Sequence, residues 1–131
     1  MTPRGMLRTL LASASLVAVW ACGIGPTAPP DFSDPSLAVR ARSGEEFVIR
    51  LESNASTGYS WRLARPVDGQ VVVLVEAQYE PPTGAMLGSS GVEHWRFRAV
   101  SRGQTTIDLE YVRPWDTAAP ARTVSFVIFV S

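Results

Sequence analysis

The chain has no lysine, one histidine and one cysteine in 131 residues, and each shortage removes a class of function. With Cys22 alone, no internal disulfide can form, so the fold must be held by its core. One histidine and no paired cysteines exclude a zinc site of the usual ligand set. A Ser–His–Asp arrangement would have to use His94. That residue lies beside Trp95 at the entrance of a candidate strand and reads as a solvated strand residue, and no serine lies in a nucleophile-elbow context. The acids Glu45 and Glu46 are adjacent, which sends their side chains to opposite faces of a strand. No enzyme, cofactor or metal site is expected. The basic residues are all arginine, 12 against 12 acids. If Arg4 and Arg8 leave with a leader, the net charge falls near −2. There is no basic footprint for nucleic acid.

Long apolar runs are also scarce. The uncharged run from Thr9 to Ala21 is shorter than the roughly 20 residues a bilayer core requires. Preceded by Arg4 and Arg8, it suits a signal peptide over residues 1–21. It ends in "VWAC", which resembles a bacterial lipobox, with aliphatic Val19 and small Ala21 before Cys22 as the lipidated residue; Trp20 is an unusual occupant. Residues 22–36, "CGIGPTAPPDFSDPS", read as the lipidated cysteine and a flexible Pro/Gly-rich tether. The expected product is exported and lipid-anchored to a bacterial cell membrane, on the periplasmic or cell-surface side. Gly23, where an inner-membrane lipoprotein commonly carries aspartate, points to the outer membrane if the cell has one. Residues 37–131 are then one domain, which buries about 60–65% of its unfolded surface. A monomer is expected.

Within that domain the dominant period is two. Phe47, Ile49 and Leu51 alternate with Val48, Arg50 and Glu52; Tyr59, Trp61 and Leu63 with Ser60 and Arg62. Trp95, Phe97 and Ala99 alternate with Arg96, Arg98 and Val100, and Ile107, Leu109 and Tyr111 with Thr106, Asp108 and Glu110. These are half-buried strands. Val71–Tyr79 and Thr123–Val130 are apolar on both faces, as in strands covered on both sides or contributing to an interface. Turn residues separate the runs at Ser43-Gly44, Asp68-Gly69, Pro81–Gly84 and Arg102-Gly103. Outside the leader no window carries a helical stripe. The pattern predicts an all-β, immunoglobulin-like antiparallel sandwich of about seven strands without its usual disulfide, with Trp61 on the third strand as the core tryptophan.

The stretch "SNASTGYSW" then stands out. Asn54 and Gly58 tolerate positive φ, and Ser56 and Thr57 can bond local backbone. Taken alone it is a hairpin loop, and Asn54-Ala55-Ser56 is formally a glycosylation sequon, discounted beside a bacterial lipobox. Two later segments change the reading. "GAMLGSSGVEHWRF" carries Gly88, Ser89, Ser90 and Gly91 between the fourth and fifth strands, and Arg113-Pro114-Trp115 joins the last two. In that order the three resemble the loops of the chagasin family, inhibitors of papain-like cysteine proteases. The first signature there is Asn-Pro-Thr-Thr-Gly-Tyr: Asn54, Thr57, Gly58 and Tyr59 match, Ser56 is a conservative change, and Ala55 stands in place of proline.

The resemblance covers essentially residues 37–131 and implies a reversible inhibitor of a papain-family protease. The Asn54–Tyr59 loop would enter the active-site cleft, with the Thr57 hydroxyl bonding near the catalytic residues. The Gly88–Gly91 and Arg113–Trp115 loops would grip the walls. The alternative is a structural or adhesive sandwich lipoprotein without inhibitory activity. A sandwich can gather the loops after its second, fourth and sixth strands at one end.

Overall fold

The computed structural model describes residues 27–84 and 88–131; Cys22, the lipobox and the leader lie outside them. Among the described residues eight strands are formed: β1 (Asp31–Phe32), β2 (Val39–Ala41), β3 (Glu46–Ser53), β4 (Ser60–Leu63), β5 (Val72–Glu80), β6 (Gly91–Ala99), β7 (Gly103–Val112) and β8 (Arg122–Val130). They make two four-stranded sheets, ordered β1-β3-β6-β5 and β2-β8-β7-β4. Six of the seven strands from residue 37 onward coincide with the runs expected from the periodicity; β2, three residues long, shows too little alternation to be among them.

The alternation explains the core. Phe47, Ile49 and Leu51 of β3 and Trp95, Phe97 and Ala99 of β6 face inward from the first sheet. They meet Trp61 of β4, Ile107, Leu109 and Tyr111 of β7, and Phe126, Ile128 and Val130 of β8. Every one of these is buried, and the Phe47 and Phe97 rings stack with centroids 5.7 Å apart. Full burial of such a side chain stabilises by roughly 1.5–3 kcal/mol, so a core of this kind can hold the fold without a disulfide.

The sheets depart from the expected pattern in three ways. They are mixed rather than purely antiparallel, because β1 pairs parallel with β3 and β2 parallel with β8. Residues 30–32, expected in the tether, belong to the sandwich. The Val48 N–H donates to the Pro30 carbonyl (2.9 Å) and the Phe32 ring packs edge-on against Phe47 (6.3 Å). Proline is no obstacle there, since an edge strand does not need its missing N–H. Lastly, the two-faced apolar runs are not both covered. From Leu74 onward β5 forms an open edge, with Leu74, Val75 and Tyr79 at 36–41% exposure. A register shift between Leu74 and Glu76 interrupts the pairing of this strand with β6; such bulges twist an edge away from further strand addition. In β8, Val127 and Phe129 are half-buried on the outer face, and the Arg40 guanidinium lies 4.8 Å from the Phe129 ring centroid.

One buried acid ties the sheets together. Glu93 of β6 points inward at 8% exposure. Its carboxylate accepts from the backbone N–H of Trp61 on β4 (3.1 Å), in the opposite sheet, and from the Trp95 indole N–H (3.3 Å). The Trp61 indole N–H donates to the Glu52 carbonyl on β3 (2.9 Å). The two bonds made by Trp61 join the sheets at the end from which the loop of residues 54–59 leaves.

Candidate functional site

Strand order brings the three loops to one end. β3 and β6 are neighbours, with Ser53 opposite Gly91, so the loop leaving β3 starts beside the loop entering β6. β4 and β7 are neighbours, with Ser60 opposite Val112, so the first loop arrives at β4 beside the loop leaving β7. The first loop therefore crosses from one sheet to the other, flanked on either side by the second and third. It is not a hairpin loop, because β3 and β4 lie in different sheets.

The first loop is stiff by construction. Ala55–Thr57 form a single 3-10 turn capped by Asn54, whose side chain accepts from Ser56 N–H (3.2 Å) and from the Ser56 hydroxyl (2.6 Å). Gly58 ends the turn with φ 79°, a left-handed conformation that costs other residues roughly 1 kcal/mol or more. The Thr57 hydroxyl donates to the Asn54 carbonyl (2.7 Å) and accepts from Tyr59 N–H (3.4 Å). In the free chain it thus serves the loop itself. Beneath, the Tyr59 ring stacks on Tyr111 (5.2 Å), which leans on Trp61 (5.0 Å). The Tyr111 hydroxyl accepts from Asn54 N–H (2.8 Å).

Both flanking loops are fastened to the first. Asn54 Nδ2 donates to the Gly88 carbonyl (3.0 Å). Arg113 Nε donates to the Thr57 carbonyl (3.1 Å), and its guanidinium lies 4.5 Å from the Tyr59 ring centroid. Arg113 is half-buried and turned inward onto the first loop. Trp115 is 72% exposed, with its ring edge laid against Gly58. A Cβ at Gly58 would come within 2.5 Å of Trp115 Cη2. Glycine there serves the left-handed turn and the close approach of the indole together.

Ala55, Ser56, Thr57, Gly88, Ser90, Pro114 and Trp115 present exposed surface at this end, and Ser89 is half-exposed. Gly91, expected in the second loop, is instead the buried first residue of β6. A Cβ on it would meet the Glu80 carbonyl at 2.3 Å, so its role is close packing against β5. Tyr59 is half-buried and supports the loop. Nothing in the sequence marks Tyr111 or Glu93 as part of this end: Tyr111 falls on an inward, core-type position of β7, and Glu93 precedes the alternation that starts at His94. His94 sits on the outer face of the first sheet, paired with Glu80 of β5 at 2.6 Å.

Comparison with known proteins agrees with this geometry. Residues 40–130 match the family described as "Chagasin family peptidase inhibitor I42". Chagasin of Trypanosoma cruzi is 33% identical over 75 residues, covering 55% of this chain and 68% of chagasin. Amoebiasin-2 of Entamoeba histolytica is 30% identical over 83 residues, covering 63% of this chain and 68% of that protein. Among solved structures, Amebosin superposes with a TM-score of 0.66 at 26% identity, covering 80% of this chain and 100% of its own. PbICP-C, solved in complex with falcipain-2, superposes at 0.55 with 18% identity, covering 80% and 91%, a likeness of fold. With the family match spanning most of the chain and three signature loops gathered at one end, the chain belongs to the chagasin family of peptidase inhibitors.

Proposed function

We propose that the chain is a reversible inhibitor of papain-family cysteine proteases, and that the Asn54–Tyr59 loop is the wedge that fills the active-site cleft. The observation that carries this reading is the fastening of a narrow turn of small side chains between two flanking loops, with Trp115 exposed beside it. Loops ordered before binding avoid much of the ordering cost that limits affinity. The wedge has no electrophile, so binding should leave protease and inhibitor chemically unchanged. The relatives support a cysteine protease as partner, PbICP-C having been solved with falcipain-2. Titrating residues 27–131 against papain tests the reading. A tight loss of activity, recovered on dilution, is expected; full activity at micromolar inhibitor would refute it. The fragment should start at residue 27, because Pro30 and Phe32 contribute to the first sheet.

Trp115 is the principal affinity residue in this reading. Tryptophan is favoured at interface hot spots because one ring buries a large, rigid surface. Trp115→Ala is expected to cost about 2 kcal/mol, roughly thirty-fold in affinity, mainly as faster dissociation. Arg113→Ala should cost about 1 kcal/mol, acting through the wedge it holds. Surface plasmon resonance on both variants measures the split, and a larger loss for Arg113→Ala would displace Trp115 from this role.

Ala55 replaces the proline of the family signature, yet the turn is already capped. Ala55 is the first residue of the 3-10 turn, and Asn54 before it is extended, with φ −109° and ψ 94°. Both suit proline. Ala55→Pro is therefore expected to leave inhibition unchanged or strengthen it by up to about 1 kcal/mol, by restricting the unbound loop. An inhibition constant weakened tenfold would show that the turn does not accept proline.

Export and lipidation at Cys22, with the domain held at a bacterial membrane, complete the proposal; the support is the lipobox-like "VWAC". Cys22→Ser should release the protein from membrane fractions or block its maturation. Unchanged fractionation, with no lipid label on the wild type, would overturn it.

A further inference from the structure

Asn54 is bonded on all sides within its own chain. Its N–H donates to the Tyr111 hydroxyl, its carbonyl accepts from Thr57, its Oδ1 accepts from Ser56 and its Nδ2 donates to the Gly88 carbonyl. The Ser56 N–H can only donate and the Gly88 carbonyl can only accept, which determines the orientation of the amide. A side chain placed between them must offer an acceptor to one and a donor to the other. At this length asparagine does both at any pH, and aspartate only when protonated.

We propose that Asn54 is a positioning residue that clamps the wedge loop to the Gly88 loop, so that the two meet a protease as one rigid edge. It acts within the chain and not on the protease. This rests on the inhibitory reading above for its consequence, but the clamp itself exists in the free chain. Its partners lie in different segments: Ser56 one turn along the wedge, Gly88 at the approach to β6, and Tyr111 on β7. Without the clamp, the second loop would have to be ordered when a partner binds, and that cost would fall on the affinity.

Asparagine and aspartate have the same shape, which supplies the test. Asn54→Asp keeps the acceptor for Ser56 but sets a carboxylate oxygen against the Gly88 carbonyl, where both are acceptors. Protonating the carboxyl restores a donor, and an environment favouring the neutral form raises its pKa above the ordinary value of about 3.9. The other polar side chains bonded to this turn are the Tyr111 hydroxyl and the Arg113 guanidinium. Glu52 and Glu93 nearby are common to both chains, so the ratio of variant to wild type at each pH removes their effect.

The experiment compares the full chain with its Asn54→Asp and Asn54→Ala variants against papain between about pH 7 and pH 4.5. At pH 7 Asn54→Asp is expected to inhibit roughly tenfold or more weakly than wild type. By the acid end it should recover to within about threefold, as the carboxyl protonates. Asn54→Ala should be weak throughout. A deficit for Asn54→Asp that does not change with pH, or none at pH 7, would overturn the proposal. Backbone 15N order parameters provide a readout without protease. Residues 54–59 and 88–91 should loosen in Asn54→Asp at pH 7 and stiffen again in acid, with thermal stability close to wild type at each pH. If the wild type fails to inhibit, the protease reading falls while these order parameters still decide the clamp; unchanged order parameters sink it.

Discussion

Thr57→Arg is expected to abolish inhibition of a papain-family protease while the domain stays folded. Thr57 closes the 3-10 turn at the exposed tip of the wedge and contributes nothing to the core. Losing its bonds to Asn54 and Tyr59 therefore touches only the loop. A cleft that accepts a turn of small residues has no room for a guanidinium, and a charge buried there without a partner costs several kcal/mol. The expected loss is at least about 3 kcal/mol, more than a hundred-fold in the inhibition constant. Thr57→Ser keeps the hydroxyl that supports the turn and should inhibit within a few-fold of wild type. Circular dichroism and thermal melting check the fold, and inhibition kinetics check the effect. A folded Thr57→Arg protein that inhibits like wild type would rule out this loop as the wedge.

The largest effect on stability is expected at Glu93. Its carboxylate takes two buried N–H groups, one from each sheet, in a domain without a disulfide. Glu93→Leu has nearly the right volume but leaves both donors unpaired, and each such loss costs about 1–3 kcal/mol. A total near 3 kcal/mol would lower the melting temperature of a domain this size by about 10–20 °C. Glu93→Gln retains an acceptor oxygen and should lose about 1 kcal/mol. In urea the Glu93→Leu midpoint should fall with the slope unchanged, the sign of lost stability rather than an altered unfolded state. If Glu93→Leu proves as stable as wild type, the carboxylate is not what holds Trp61 and Trp95. Because Trp61 lies just beyond the wedge on β4, a stable but loosened Glu93→Gln domain should also inhibit somewhat less tightly.

Strand by strand, the sandwich was legible because a buried sheet face imposes a period of two on the chain. Phe47, Ile49 and Leu51, or Trp95, Phe97 and Ala99, can all turn inward only as extended strands. The run Val71–Tyr79 shows where composition stops being decisive. Apolar residues on both faces did not reveal that most of β5 would lie at an open edge, since which strand is outermost depends on the pairing order of the other three. Residues 30–32 show the converse. A Pro-rich segment looked unable to pack, but the Pro30 carbonyl, a two-residue parallel pairing, the Asp31–Arg50 ion pair and the Phe32 ring join it to β3.

At the loops, residue identity by itself determined the membership of the family. Asn54, Thr57, Gly58 and Tyr59, then the serine–glycine segment, then Arg113-Pro114-Trp115 occur in order at strand junctions, and local chemistry explains why each can turn a chain. What each residue does was decided only in three dimensions. Arg113 is close to sixty residues from Thr57 in the chain, yet it bonds to that carbonyl because β4 and β7 are paired. Asn54 reaches Gly88 because β3 and β6 are paired. Gly91 passed from loop to buried strand because β5 runs against it. Hydrogen bonds and close approaches between segments far apart in sequence leave no periodic trace along the chain. They depend on strand order, which the alternation of apolar and polar residues does not encode.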